Sequence, residues 1–303
     1  MTRPRVLVCG DVINDVMAEI SVPLVDGQDN PAAISARPGG SAANQAAWMA
    51  RLGLDVVFAG RAGARDAGFQ RQELARFGVR ALLAPDESAP TGSIVVLVGP
   101  DGERTMITDR GANLRLQPAD VPAALLDGAA LLHLTGYSFF DPAPREVALG
   151  LIAGARRRGV PFTIDPGSAA FLAPLAPGAF LDWTKGAAVC FPNLDEAAVL
   201  AGAAGTPQAD PAATAAFLTR YYRAVVIKCG ADGALAAVAG SQPARVAARS
   251  AVVRDTTGAG DAFCAGFLAS WLTGGDLAAA AASAVRAAAL AVAVLGGRPP
   301  DPE

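Results

Sequence analysis

The chain has 303 residues, 52% of them hydrophobic and 17% charged, and a formal net charge of -3. That length can bury a large core, and the balance is that of an ordered, enzyme-like protein rather than a disordered one. The charge supplies no basic field for nucleic acid or an anionic membrane, so neither is an expected partner.

Residues 5–10, RVLVCG, read as a buried strand, and DVIND at 11–15 follows at its carboxyl end, where α/β proteins place ligands. Residues 18–37 show no helical period; AEISVPL and AAISA flank a polar turn at 26–31, which predicts a small antiparallel piece outside the main sheet. Residues 38–53 predict a helix opened by two glycines and closed on Gly53. Strand 56–60, helix 68–77 and strand 79–83 follow. A second irregular insertion, 91–109, carries strands at 93–98 and 105–108 around a turn at 100–103, and is placed to pair with the first. The alternation resumes with strand 130–135, helix 144–158, strands 161–165 and 188–191, helices 194–201 and 211–221, and strand 224–228. Short strands near Ala234 and Val246 precede the stretch 251–271, and a helix from 276 to about 295 ends the pattern. Repeated βα units predict one α/β domain over 1–303, with a mostly parallel central sheet and helices on both faces. A small β-sheet from about 16–37 and 91–109 would stand outside it, offering Ile20, Val22, Leu24, Ile34, Val96 and Val98 as apolar material.

The stretch AVVRDTTGAGDAFCAGFLASW, 251–271, carries the chemistry. Its β-branched start reads as a strand, Gly258-Ala259-Gly260 make a turn, and Phe263, Cys264, Phe267, Leu268, Trp271 and Leu272 recur on one helical face. A helix that starts on glycines leaves backbone N–H groups unpaired and adds the positive end of its dipole, which together make an anion site. Asp261, the first acidic residue inside that turn, would stand beside a bound phosphate. A base next to an anion hole suits phosphoryl transfer to a hydroxyl; the alternative is a carboxylate capping its own helix. Asp255, before the turn, either holds a cation or caps the loop.

Other devices are excluded. The one histidine, His133, rules out a two-histidine zinc helix and, among leucines, reads as a core residue. Neither lysine, Lys185 or Lys228, follows a glycine, so no Walker A loop exists, and HRD, DFG and GxSxG do not occur. Cys9, Cys190, Cys229 and Cys264 lack CxxC spacing and sit in apolar segments, as reduced core residues do. No apolar run follows the basic start, so a cytoplasmic protein is expected.

DTTGAGDAF at 255–263 and GGSAANQA at 39–46 resemble the two signatures of the ribokinase-like (PfkB) carbohydrate and nucleoside kinases. Between them RAGARDAG at 61–68, TG at 91–92, GAN at 111–113, NLDE at 193–196 and KCGADG at 228–233 fall in the order of that family over nearly the whole chain. The resemblance implies an ATP-dependent kinase for a hydroxymethyl group of a neutral sugar, or alternatively a nucleoside or pseudouridine kinase. A non-catalytic sugar-binding regulator is the remaining reading, against which the intact Asp261 and glycine turn argue. Asp261 would be the base and Gly258, Ala259 and Gly260 the anion hole. Asp15, Gly39, Gly40 and Asn44 would hold sugar hydroxyls. Asn193 and Glu196 match an element tied to magnesium and phosphate, while Lys228, Gly230, Asp232 and Gly233 would border the ATP. Asp255, with carbonyls near Gly296, would suit potassium. The two insertions match a β-lid that closes over substrate and often pairs two subunits, so a homodimer is expected. Two departures bear on substrate: Ser41 stands where ribokinases carry lysine, and no arginine closely follows Asp165-Pro166-Gly167-Ser168, which weighs against an acidic sugar. The aromatic residues in GYSFF, 136–140, either stack on a nucleobase or belong to the core.

Overall fold

Val6, Leu7 and Val8 are fully buried within a strand, β1 (Arg5–Cys9), that is apolar on both faces, the signature of a central parallel strand. In the computed structural model, which describes residues 3–99, 104–203 and 210–301, the chain leaves β1 for β2 (Ile13–Ile20) and β3 (Ala32–Gly39). It then enters α1 (Ser41–Arg51) and returns to the sheet as β4 (Asp55–Gly63). Next come α2 (Ala64–Ala75), β5 (Arg80–Asp86), β6 (Thr91–Val98) and β7 (Arg104–Gly111). β8 (Leu131–Thr135), α3 (Pro142–Arg158) and β9 (Phe162–Asp165) lead to two helices, α4 (Ala169–Leu172) and α5 (Pro177–Thr184). The last part runs β10 (Val189–Cys190), α6 (Leu194–Ala203), α7 (Pro211–Leu218), β11 (Ala224–Lys228), β12 (Ala234–Val238), β13 (Ala244–Val246), α8 (Ala259–Leu272) and α9 (Leu277–Ala291).

Among the described residues the large sheet has the order β13-β12-β11-β10-β9-β8-β1-β4-β5, parallel except for β12 and β13. Alternate residues of one strand feed opposite cores. Val6 and Val8 pack with α1, α8 and α9, while Leu7 and Cys9 pack with α3, α5, α6 and α7. Strands β4 and β5 extend from one side of β1 and β8 onward from the other, so the order reverses beside β1. Loops at the carboxyl ends diverge there and leave room for a ligand.

The two insertions meet in a separate sheet, β3-β2-β6-β7. Its inner pair, β2 with β6, is parallel, so the sheet is mixed rather than antiparallel throughout. Ile20 and Val96 are buried in it, Val98 half-buried, and Val22, Leu24 and Ile34 exposed. The turn at 100–103 lies outside the described residues.

Two local expectations fail. Residues 251–253 form no strand: Val252 and Val253 are exposed, and the next amides, Arg254 and Asp255, donate to the carbonyl of Val292 after α9. The β-branched run has no strand edge to join, because its backbone is tied to a helix end. And α8 shows no single apolar stripe, since it is buried from Asp261 to Ala269 between α1 and α9. No helix among the described residues is long and apolar enough to cross a membrane.

Candidate active site

Two helix starts face each other at the carboxyl edge of the large sheet. At α1 the capping residue is Gly40, which has no side chain to offer, so Asp11 after β1 accepts instead from the amides of Ser41 (2.9 Å) and Ala42 (3.3 Å). At α8 no side chain caps the start, and Gly258 takes φ 73°, a left-handed conformation. A Cβ on Gly258 would lie 2.4 Å from Gly297 Cα, so this turn is pressed against the segment that follows α9.

Asp261 sits in the first turn of α8 and is held from across the gap. Ser41 Oγ (2.7 Å) and Gln45 Nε2 (3.1 Å) donate to its Oδ1, and Asn44 Nδ2 (3.1 Å) to its Oδ2. Residues i, i+3 and i+4 of α1 share one face, which is why one helix supplies all three. Burial pushes the Asp261 carboxyl up to about 7, with Asp165 adding to the rise and these hydrogen bonds opposing it. A carboxylate near neutrality and beside a helix start is equipped to take a proton.

Asp15 on β2 lies over Gly39, where a Cβ would stand 2.0 Å from the Asp15 carboxylate; only glycine leaves it room. Burial, with Asp11 and Asp255 nearby, raises Asp15 to about 6, and Arg298 opposes the rise. Several buried polar atoms around this cleft lack a partner: Asn44 Oδ1, Ser138 Oγ, Arg37 Nε, and Nε and Nη1 of Arg298. Unsatisfied buried groups are uncommon, and a cluster of them marks where a polar ligand would be received.

On the far side of Asp261, Lys228 Nζ pairs with Asp165 Oδ1 at 2.8 Å and stands 4.0 Å from Glu196 Oε2. A Cβ on Gly260 would be 3.5 Å from that ammonium, so Lys228 lies under the glycine turn. Burial lowers the affinity of Lys228 for its proton, but Asp165 and Glu196 outweigh it and hold the amine above its ordinary value. Glu196 is buried rather than solvated: it accepts from the Asn193 amide (2.9 Å), and Asn193 Oδ1 accepts from the Glu196 amide (2.8 Å). Burial raises Glu196 to about 7 against the pull of Lys228. Gly230 and Asp232 form an exposed short turn after β11, and Gly233 (φ 88°) folds it back under the backbone of Val246.

Asp255 accepts from the amides of Thr257 (2.7 Å) and Gly296 (2.8 Å), and so joins the loop before α8 to the segment after α9. That contact suits the loop-shaping alternative. The donor set of Asn193 and Glu196 is oxygen, which fits a hard cation such as magnesium. Among the described residues no three His, Cys, Asp or Glu side chains gather into a cage.

The profile of the pfkB family carbohydrate kinases matches residues 3–303. The chain belongs to that family. It is 31% identical over 281 residues to the ATP-dependent ribose-1-phosphate kinase of Halopiger xanaduensis, covering 90% of this chain and 86% of that protein. Among solved structures, adenosine kinase from Sinorhizobium meliloti superposes with a TM-score of 0.86 at 25% identity, covering 98% of this chain and 96% of that one. Arabidopsis thaliana ribokinase complexed with ribose and ATP gives 0.77 at 26%, covering 99% and 96%. This chain is therefore a carbohydrate kinase of the pfkB family with a ribokinase-like fold.

The structure brings Asp15, Gly39, Gly40, Asn44, Gly258, Ala259, Gly260, Asp261, Lys228, Asn193 and Glu196 to one edge of the sheet. The sequence motifs assign no role to Gln45, Asp11, Asp165, Ser138 or Arg298. Gln45 was legible in principle, one turn after Ser41 inside the GGSAANQA run. Asp165 ends a strand at the ligand edge. Nothing local marks Ser138 or Arg298, which reach the cleft only through tertiary packing.

Proposed function

We propose that the chain transfers the γ-phosphoryl group of ATP to a hydroxymethyl group of a neutral sugar or a nucleoside, with Asp261 as general base. The observation that carries this is the Asp261 carboxyl, held by α1 at the glycine start of α8 and raised to about 7. Asp15, Gly39, Gly40 and Asn44 orient the acceptor hydroxyls. Asp261 takes the hydroxyl proton as the oxygen attacks phosphorus, and the N–H groups at Gly258, Ala259 and Gly260 receive the charge on the phosphoryl oxygens. Lys228 with Gly230, Asp232 and Gly233 borders the nucleotide. Asn193 and Glu196 would hold magnesium bound with ATP, which would supply neutralisation of the phosphate charge. Potassium is proposed as an activator through the loop that Asp255 organises.

The whole chain is taken as one kinase domain, cytoplasmic, whose small sheet acts as a lid. Closure over the acceptor would keep water from the phosphoryl group. The exposed Ile34, Met106 and Ile107 on that sheet support a lid-to-lid homodimer. Light scattering that gives a monomer at micromolar concentration removes the dimer and leaves the kinase.

A nucleoside acceptor is favoured by one feature. Tyr137, Phe140 and Phe171 pack edge to face and stacked, with Phe140 and Phe171 centroids 5.2 Å apart and the Tyr137 hydroxyl donating to the Gly167 carbonyl at 3.3 Å. The test is ADP release with a panel of free sugars, nucleosides and phosphorylated pentoses. The last are included because Arg37 and Arg298 hold unpartnered nitrogens near Asp15. Turnover of free sugars or of nucleosides well above the rest assigns the acceptor; a preference for phosphorylated pentoses contradicts the neutral acceptor, and ADP release with no member of the panel contradicts the whole reading.

A further inference from the structure

We infer that Gln45, locked by His133 and Thr163, is the positioning residue that fixes the orientation of the Asp261 carboxylate and separates it from Asp165. The inference rests on the reading of Asp261 as the base.

The hydrogen-bond directions follow from the carboxylates outward. Asp165 is ion-paired to Lys228, so its oxygens only accept. Gln45 Nε2 lies 3.0 Å from Asp165 Oδ2 and 3.1 Å from Asp261 Oδ1. The nitrogen of the amide therefore faces the two carboxylates, and one of its hydrogens serves each. Ser41 Oγ is also 3.1 Å from that nitrogen, but its own proton goes to Asp261. Gln45 Oε1 must then point the other way, where it meets His133 Nε2. An amide oxygen only accepts, so His133 carries its proton on Nε2. Burial keeps the ring neutral, pushed down to about 4. Its bare Nδ1 accepts from Thr163 Oγ at 2.7 Å. One direction runs through the whole chain: Thr163 to His133, His133 to Gln45, Gln45 to Asp261 and Asp165.

All three relay side chains, Gln45, His133 and Thr163, are fully buried. Such a chain is high in stakes, because a reversed amide would aim an oxygen at two carboxylates. It also has a chemical consequence. Asp261 and Asp165 repel each other, and an amide that donates to both lowers that repulsion. Without it, Asp261 would bind its proton more tightly and lose a fixed orientation. The charged and titratable groups around Asp261 are Asp165 on β9, Lys228 on β11, Glu196 on α6, Cys264 on α8, Tyr137 after β8 and Asp11 after β1; α1 supplies only neutral donors. None but Gln45 bridges the two carboxylates by donating to both.

Two measurements decide it. The chain has one histidine, so ring nitrogen NMR reads His133 without ambiguity. The relay requires the Nε2–H tautomer, unprotonated down to about pH 5. An Nδ1–H tautomer, or protonation near pH 6.5, overturns it. Gln45→Met keeps the shape and removes the donor. It should lower kcat by about 10–100-fold with KM for ATP and acceptor within about 2-fold, the loss of a hydrogen bond to a charged group. The acid limb of kcat should move to higher pH by about one unit. Thr163→Val should move that limb the same way by less, and serves if Gln45→Met does not fold. A variant that melts earlier but keeps wild-type kcat and acid limb overturns the inference. Asp261→Asn separates the two claims: if it is inactive while Gln45→Met is normal, the relay alone fails. Full turnover in Asp261→Asn overturns the base reading and with it this one.

Discussion

At the residue scale the site works through carboxyl groups taken out of their ordinary range by burial. Asp261 is raised to about 7, and a base must be ionised to act, so kcat should rise with pH through about 7 and level off above it. The measurement is kcat against pH with ATP and acceptor saturating. An acid limb near 4 would mean that the bound state restores an ordinary carboxylate and that burial does not set the working pH. Two signals named the candidates: residue type and spacing at the glycine turn for Asp261, and the family resemblance for Asn44 and Asp15. They were not enough for Gln45 or Asp165. Their part depends on which hydrogen-bond partner lies opposite, and that is decided by the packing of α1 against β8, β9 and α8.

At the scale of elements, α1 starts without a side-chain cap of its own and borrows one from the segment that follows β1. Replacing Asp11 leaves the amides of Ser41 and Ala42 unsatisfied and loosens the turn that presents Ser41, Asn44 and Gln45. Asp11→Ala should destabilise the fold by about 1–2 kcal/mol in denaturant unfolding, against about zero if water replaces the carboxylate freely. The small sheet makes a separate prediction. Because β2 pairs with β6 across the two insertions, amide exchange in both segments should slow together when acceptor binds. A response in one segment alone would mean that they do not move as a unit. Most elements were legible from alternation and from Gly and Pro punctuation. The misses have local causes: residues 251–253 have strand propensity but no edge to pair with, and α4 and α5 lie in a proline-broken stretch with no clear period.

At the scale of the whole molecule, three buried carboxyls set how stability depends on pH. Asp15, Glu196 and Asp261 all bind protons more tightly in the fold than in the unfolded chain. Their contribution is full below about pH 4 and is lost as pH rises through about 6 to 7. His133, lowered to about 4, acts with the opposite sign but is one group against three. The ligand-free protein should therefore melt about 5 °C or more higher at pH 5.5 than at pH 8, and Asp261→Asn should narrow that gap. A melting temperature that rises from pH 5.5 to pH 8 would contradict the burial of these groups. The most direct test of the central claim, a kinase whose base is Asp261, is the turnover of Asp261→Asn with ATP and the accepted sugar or nucleoside. The account predicts a kcat lower by about 10²–10⁴-fold with the fold and ATP affinity retained; near-wild-type turnover would contradict it.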